Sequence, residues 1–152
     1  MNPAAGGEGA TPARLRKQPT WLINRAHGVS YKLLSEGFGA VGTHGYHYRL
    51  LAALAEFGPS SQADLARSTG VDGSDVVAAL NELAQQRLVK RAPDATDRRR
   101  NTISITAAGR RRLTALDDVL DGIQDRLLAP LSAAERRQLV VLLDRVLHHH
   151  ES

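Results

Sequence analysis

Apolar positions recur at spacings of three and four along most of the chain, and the breaks between them fall at glycine and proline. From about Pro19 to Gly37, Leu22, Ile23, Ala26, Val29, Leu33 and Leu34 form a broad apolar face, which predicts a helix ended by the run Gly37-Phe38-Gly39-Ala40-Val41-Gly42. A second helix is predicted from about Thr43, a candidate cap, to Phe57, with Leu50, Leu51, Leu54 and Phe57 inward. Gly58-Pro59 ends it. Ser60 or Ser61 then caps a short helix carrying Ala63, Leu65 and Ala66, which Thr69-Gly70 terminates because glycine accepts a left-handed backbone. Asp72 restarts helix, with Asp75 three residues on as an acidic variant of the capping box. Val76, Leu80 and Leu83 form its inner stripe. Ser74, Ala78, Asn81 and Gln85 lie about half a turn away, flanked by Asp75 and Val77.

The period then switches to two. Leu88-Val89-Lys90-Arg91 and Thr102-Ile103-Ser104-Ile105 read as antiparallel strands joined by a tip from Pro93 to Arg100. Thr106 is placed to cap a long helix reaching about Ala129, with Leu113, Leu116, Leu120, Ile123 and Leu127 on one face. Pro130 stops it, and Ser132-x-x-Glu135 is a capping box for a last helix carrying Leu139, Leu142, Val146 and Leu147. The expected fold is mainly α with a small β-hairpin (α+β).

A helix–turn–helix whose second helix presents a small, polar outer face has the shape that enters a DNA major groove. Charge supports this reading. Residues 87–112 hold nine basic and two acidic side chains, net +7, whereas the rest of the chain holds 11 basic and 14 acidic, net −3. Basic charge is thus concentrated where the motif would meet phosphates.

Composition narrows the class without changing it. The 152 residues suit one domain with a real core, and no apolar run approaches the roughly 20 residues of a membrane span. The start of the chain lacks the apolar middle of a signal peptide, so a cytoplasmic location without membrane attachment is expected. Its Gly, Ala and Pro content predicts a disordered lead-in over 1–16, followed by a single domain over 17–152. The absence of cysteine excludes disulfides and thiol switching. No nucleophile elbow, phosphate loop or zinc-hydrolase motif is present, which argues against an enzyme.

The run Asp94-x-x-Asp97-Arg98-Arg99, followed by Ile105-Thr106-x-x-Gly109, resembles the wing signature of the MarR family of winged helix–turn–helix regulators. Asp64-Leu65-Ala66 and Leu83-x-x-x-x-Leu88-Val89-Lys90-Arg91 also match the family pattern. The resemblance implies a winged helix–turn–helix core over about 43–109 with dimerisation helices over about 18–37 and 107–149. It also implies a homodimer that binds a palindromic double-stranded operator, usually as a repressor, under control of a small-molecule effector. A weakly specific architectural DNA-binding protein without ligand control is the alternative.

Within this frame Arg99, at the hairpin tip, is expected to enter a narrow minor groove, with Asp97 holding its guanidinium by a bidentate pair. Arg98, Arg100, Lys90 and Arg91 fit either phosphate contacts or solvated charge, and Arg110, Arg111 and Arg112 fit a phosphate role or a solvated helix end. Ser74 is placed for a phosphate or base edge and Val77 or Ala78 for a thymine methyl. Asp75 can accept from a cytosine amino group or serve only as a helix cap. Where this chain has Ala78 and Asp75, many family members carry a basic or bulky polar residue and a threonine, a departure that shifts readout toward groove shape and the wing. Ser61 and Gln62 are natural phosphate donors at a helix start.

All six aromatic residues precede residue 58. Trp21, Arg25, His27, Tyr46, His47 and Arg49 suit either core and interface packing or an aromatic carboxylate or phenol. His44 and His47, at i and i+3, have a spacing that can hold zinc, but the sequence places no carboxylate or cysteine beside them, so neither a metal nor a cofactor is expected. His148-His149-His150 reads as a frayed helix end.

Overall fold

Three side-chain caps start helices where the sequence placed them. Ser61 accepts from the Asp64 N–H at 3.1 Å, Ser132 accepts from the Glu135 N–H at 3.2 Å, and Thr106 accepts from the Gly109 N–H at 3.0 Å. In both serine cases the acidic residue bonds back to the cap N–H, completing the box.

The computed structural model describes residues 10–152. Its elements are α1 (Ala13–Arg16), α2 (Pro19–Gly39), α3 (Gly45–Phe57), α4 (Gln62–Thr69), α5 (Gly73–Gln85), β1 (Val89–Pro93), β2 (Asn101–Ile105), α6 (Ala107–Leu127) and α7 (Ala133–Glu151). The mainly helical α+β class with one hairpin is as expected. Of the anticipated lead-in, residues 1–9 lie outside the described residues, and Ala13–Arg16 form a single helical turn. No helix among the described residues is long and apolar enough to cross a membrane.

The core gathers Phe38 of α2, Leu50, Leu51 and Leu54 of α3, Leu65 of α4, and Val76, Leu80 and Leu83 of α5. Ile103 of β2 and Leu116 of α6 complete it. At about 25 cal/mol per Å2 of apolar surface, each such side chain contributes roughly 1.5–3 kcal/mol when buried. The strands pair antiparallel from Val89↔Ile105 to Pro93↔Asn101.

Several local expectations gave way to tertiary contacts. Gly37 does not break α2. It lies inside the helix, where an added Cβ would sit 2.5 Å from Ile123 Cδ1, so it permits the close approach of α6. His44, not Thr43, is the α3 N-cap, and the Thr43 hydroxyl turns instead to His47 Nδ1 at 2.9 Å. Asp72 is the α5 N-cap, but its carboxylate accepts from the Ser74 hydroxyl at 2.7 Å, and the box with Asp75 does not form. Phe57, expected to face inward, is 64% exposed at the last residue of α3, although Leu54 of the same turn is fully buried. Ser60 caps nothing. It bridges β2, exchanging backbone bonds of 3.0 and 2.8 Å with Ile103, which anchors the start of α4 to the hairpin. Pro93, expected in the tip, extends β1, and α7 contains no buried residue.

The Ile105-Thr106-x-x-Gly109 motif has a packing explanation. Arg87 (φ 60°) ends α5 in the left-handed region and turns the chain into β1. The Thr106 hydroxyl lies 2.8 Å from the Arg87 carbonyl oxygen and 3.1 Å from that of Leu88. A Cβ on Gly109 would come within 2.1 Å of the Leu88 carbonyl oxygen. Threonine ties α6 to the turn that follows α5, and glycine lets the two backbones touch.

Candidate nucleic-acid interface

The buried stripe Val76, Ala79, Leu80 and Leu83 fixes the rotation of α5 and turns Ser74, Val77, Ala78, Asn81 and Gln85 to solvent. This is the outer face expected from the pattern. Asp75 is half-buried and faces a pocket toward α2 and α3 rather than the open side. The Ser74 hydroxyl is engaged by Asp72, whose carboxyl is held below its usual range mainly by that bond.

The wing tip is a chain of local bonds. Asp94 Oδ1 accepts from the Thr96 N–H at 2.8 Å and from its hydroxyl at 2.9 Å, which holds the carboxyl below its usual range. Asp97 Oδ1 accepts from the Arg99 backbone N–H at 3.0 Å, and the Arg100 N–H donates to the Asp97 carbonyl at the same distance. Asp97 therefore does not clamp the Arg99 guanidinium, and no ion pair joins them among the described residues. A carboxylate two residues back reaches the backbone more easily than the end of a long side chain, so Asp97 shapes the turn and leaves the guanidinium free.

Arg99, Arg100 and Asn101 line a cleft of about 450 Å3 together with Ser61, Gln62 and Arg67 at α4. The cleft collects guanidinium groups and a helix N-terminus, a combination suited to a phosphodiester. Its one carboxylate, Asp64, is occupied by the capping box and by Arg67. Arg67 belongs to this site and was not singled out from the sequence, where it reads as an ordinary helix-surface charge. Lys90, Arg98, Arg110 and Arg111 are exposed. Arg91 donates through Nη2 to Asn81 Oδ1 at 2.7 Å, and Arg112 donates to the Val41 carbonyl at 2.5 Å. Each thus holds one internal bond, and Arg91 stays exposed with its other guanidinium N–H groups unengaged by that bond.

A second pocket, of about 400 Å3, lies between α2, α3 and α5 and is lined by Tyr31, His44, Tyr46, Arg49, Asp75 and Glu82 among others. It brings together Tyr46 and Arg49 of the residues expected at a ligand. Trp21, Arg25 and His27 stand apart on the N-terminal half of α2, with the Arg25 guanidinium 5.7 Å from the Trp21 ring centroid. His47 is 3% exposed, with Nε2 2.7 Å from Glu82 Oε2. Burial first, and then the charge of His44, lower its pKa against the opposing pull of Glu82.

A MarR family model matches residues 42–100, the span from the start of α3 to the wing tip. A probable transcriptional regulator from Pseudomonas aeruginosa, solved as a crystal structure, is 32% identical and superposes with a TM-score of 0.77, over 88% of this chain and 99% of that one. The chain belongs to the MarR family. It is also 32% identical over 102 residues to the transcriptional repressor NicR of Pseudomonas putida, a match spanning 67% of this chain and 65% of that protein, just under two thirds of NicR's length. BpsR of Bordetella bronchiseptica shares the fold with a TM-score of 0.78 at 23% identity, over 90% of this chain and 97% of that one. The signature that placed the sequence in the MarR family is the same Asp-Arg-Arg tip and Thr-x-x-Gly joint whose bonds are described above.

Proposed function

We propose that this MarR-family protein is a homodimeric transcriptional repressor that binds a palindromic double-stranded operator and releases it when a small aromatic anion binds. The observation that carries the reading is a set of three linked features: Arg99 and Arg100 of the wing share a cleft with the start of α4, and Arg91 of the wing bonds Asn81 on the outer face of α5. The three are the small, polar outer face of α5, the N-terminus of α4, and the wing with Arg98, Arg99 and Arg100. The first fits a major groove, the second a phosphate, and the third the adjacent minor groove. The Ser74 hydroxyl already donates to Asp72 and the Asn81 carbonyl oxygen already accepts from Arg91, so of these two side chains only the Asn81 amide N–H groups are left for base edges, and sequence preference rests largely on groove shape and the wing.

Dimerisation is supported by the apolar surface left open. Leu22, Ile23 and Val29 of α2 and Val140, Leu143 and Leu147 of α7 are each more than 40% exposed. A helix like α7, with apolar side chains and none buried, is stable only against a partner surface. A two-fold pair would set two copies of α5 about one helical turn of DNA apart.

The ligand reading rests on the pocket between α2, α3 and α5, where Arg49 offers a cation to a carboxylate and Tyr31 and Tyr46 offer ring faces. BpsR, whose DNA binding is regulated by 6-hydroxynicotinic acid, has the same fold. Asp75 and Ala78 of the reading helix line the pocket, so an occupant there would bear directly on α5.

Footprinting on the DNA flanking its own gene tests the whole reading. Protection of two half-sites on one face of the duplex, relieved by an aromatic carboxylate, is the expected result. Equal affinity for that DNA and for random duplex would overturn it in favour of weakly specific binding.

A further inference from the structure

The sequence offers His44 and His47 as a pair without a third ligand. The fold supplies one. Glu82, on the reading helix, brings Oε2 to 2.7 Å from His47 Nε2 and 3.4 Å from His44 Nε2. The two imidazole rings stand with centroids 4.0 Å apart. The three ligand atoms all lie within 4.8 Å of one another, and this is the metal-competent group among the described residues.

We propose that His44, His47 and Glu82 form a binding site for a divalent transition metal, with zinc the best match, which ties α3 to the reading helix α5. Zinc bonds of about 2.0–2.2 Å to nitrogen and oxygen put neighbouring ligand atoms of a tetrahedron roughly 3.3 Å apart. The His44–Glu82 separation of 3.4 Å already has that value, and the His47–Glu82 contact must open by well under an ångström-scale rotamer change. Two imidazoles and one carboxylate are a borderline donor set, suited to zinc or cobalt and poor for magnesium or calcium, which require mostly oxygen.

The surroundings fit as well. The Thr43 hydroxyl lies 2.9 Å from His47 Nδ1, so the ring can place its proton there and direct the Nε2 lone pair at the metal, as histidine ligands usually do by donating their other N–H to an oxygen. His47 is buried, whereas the His44 and Glu82 side chains are 44% and 51% exposed, which gives an ion a rigid base and an open approach. His44 and Glu82 also line the pocket between α2, α3 and α5, leaving the fourth position to water or to a donor from a pocket occupant. This goes beyond the repressor reading and does not depend on it, since it concerns binding to the free protein.

The test uses the full chain with His148, His149 and His150 replaced by alanine, because that terminal tract is an independent metal trap. Cobalt(II) alone is titrated while the visible bands of four-coordinate cobalt are followed, and zinc is then added in competition. One cobalt per chain, displaced by zinc but not by excess magnesium, is expected. His44→Ala and Glu82→Gln, both at partly exposed positions that leave the core intact, should each weaken binding by about 10- to 100-fold or more. Zinc should raise the melting temperature of the tract-free chain but not that of Glu82→Gln. Loss of all binding with the tract, displacement by magnesium, or unaltered affinity in both variants would each overturn the proposal, the first marking the metal as adventitious.

Discussion

Arg91, on the first strand of the wing, donates through Nη2 to Asn81 Oδ1 on the outer face of the reading helix at 2.7 Å. The wing and α5, the two parts proposed to meet DNA, are thereby joined by a side-chain bond outside the core. Asn81→Ala is expected to lower stability by no more than about 1 kcal/mol, since the bond is exposed. Its effect on DNA affinity should be larger, through loss of the fixed angle between wing and helix. Melting curves and gel-shift titrations of Asn81→Ala, Arg91→Ala and the double variant test this. Fully additive losses in affinity would count against coupling.

Arg99→Ala should leave the melting temperature unchanged, because Asp97 grips the Arg99 backbone and not its side chain. DNA binding should weaken, and the slope of log affinity against log salt should fall by about 1. Asp97→Ala should instead loosen the tip, visible as faster proteolysis of the wing. An unchanged salt slope for Arg99→Ala would remove that residue from the interface.

Gly109→Ala is expected to be severe. The added carbon would approach the Leu88 carbonyl oxygen to 2.1 Å, and a backbone atom cannot rotate away. A loss of about 3 kcal/mol or more in chemical denaturation is expected, at the upper end for overpacking. Gly122→Ala, with nothing within 4 Å of the new carbon, is the matched control and should be neutral or slightly stabilising.

Tyr48 donates to Asp117 Oδ1 at 2.7 Å, and that bond, then burial and the charges of Asp117 and Asp121, push its phenol from 10.0 up to about 12. A folded-state value above the unfolded one means the contribution is complete below pH 10 and is lost as pH rises from 10 toward about 12. Tyr48→Phe should lower stability at neutral pH by about 1 kcal/mol. The gap between the two proteins in urea unfolding should close across the alkaline window. A constant gap would mean that the bond does not control the phenol.

Leu143→Asp, on the exposed face of α7, should convert a dimer to a monomer without unfolding the core, because Leu143 contacts none of it. Light scattering after size exclusion reads the outcome directly. Dimers of undiminished strength would place the interface elsewhere.

What could be read from residues alone was whatever is decided within about four residues of chain. The caps at Ser61, Thr106 and Ser132, the left-handed turn at Gly70, the inner stripe of α5 and the two strands all fall in that class, because short-range geometry permits few alternatives. The charge of the wing and its motif also survived, being properties of composition and order. Tertiary structure decided the rest. It brought Glu82 across 38 and 35 residues to His44 and His47, joined Ser60 to Ile103, engaged Arg91 and Arg112 with internal acceptors, and set Gly37 against Ile123. Those pairings follow from how the buried leucines of α3 and α5 fix the rotation and spacing of whole helices. Such a rotation is common to many residues at once, so no single stretch of sequence carries it.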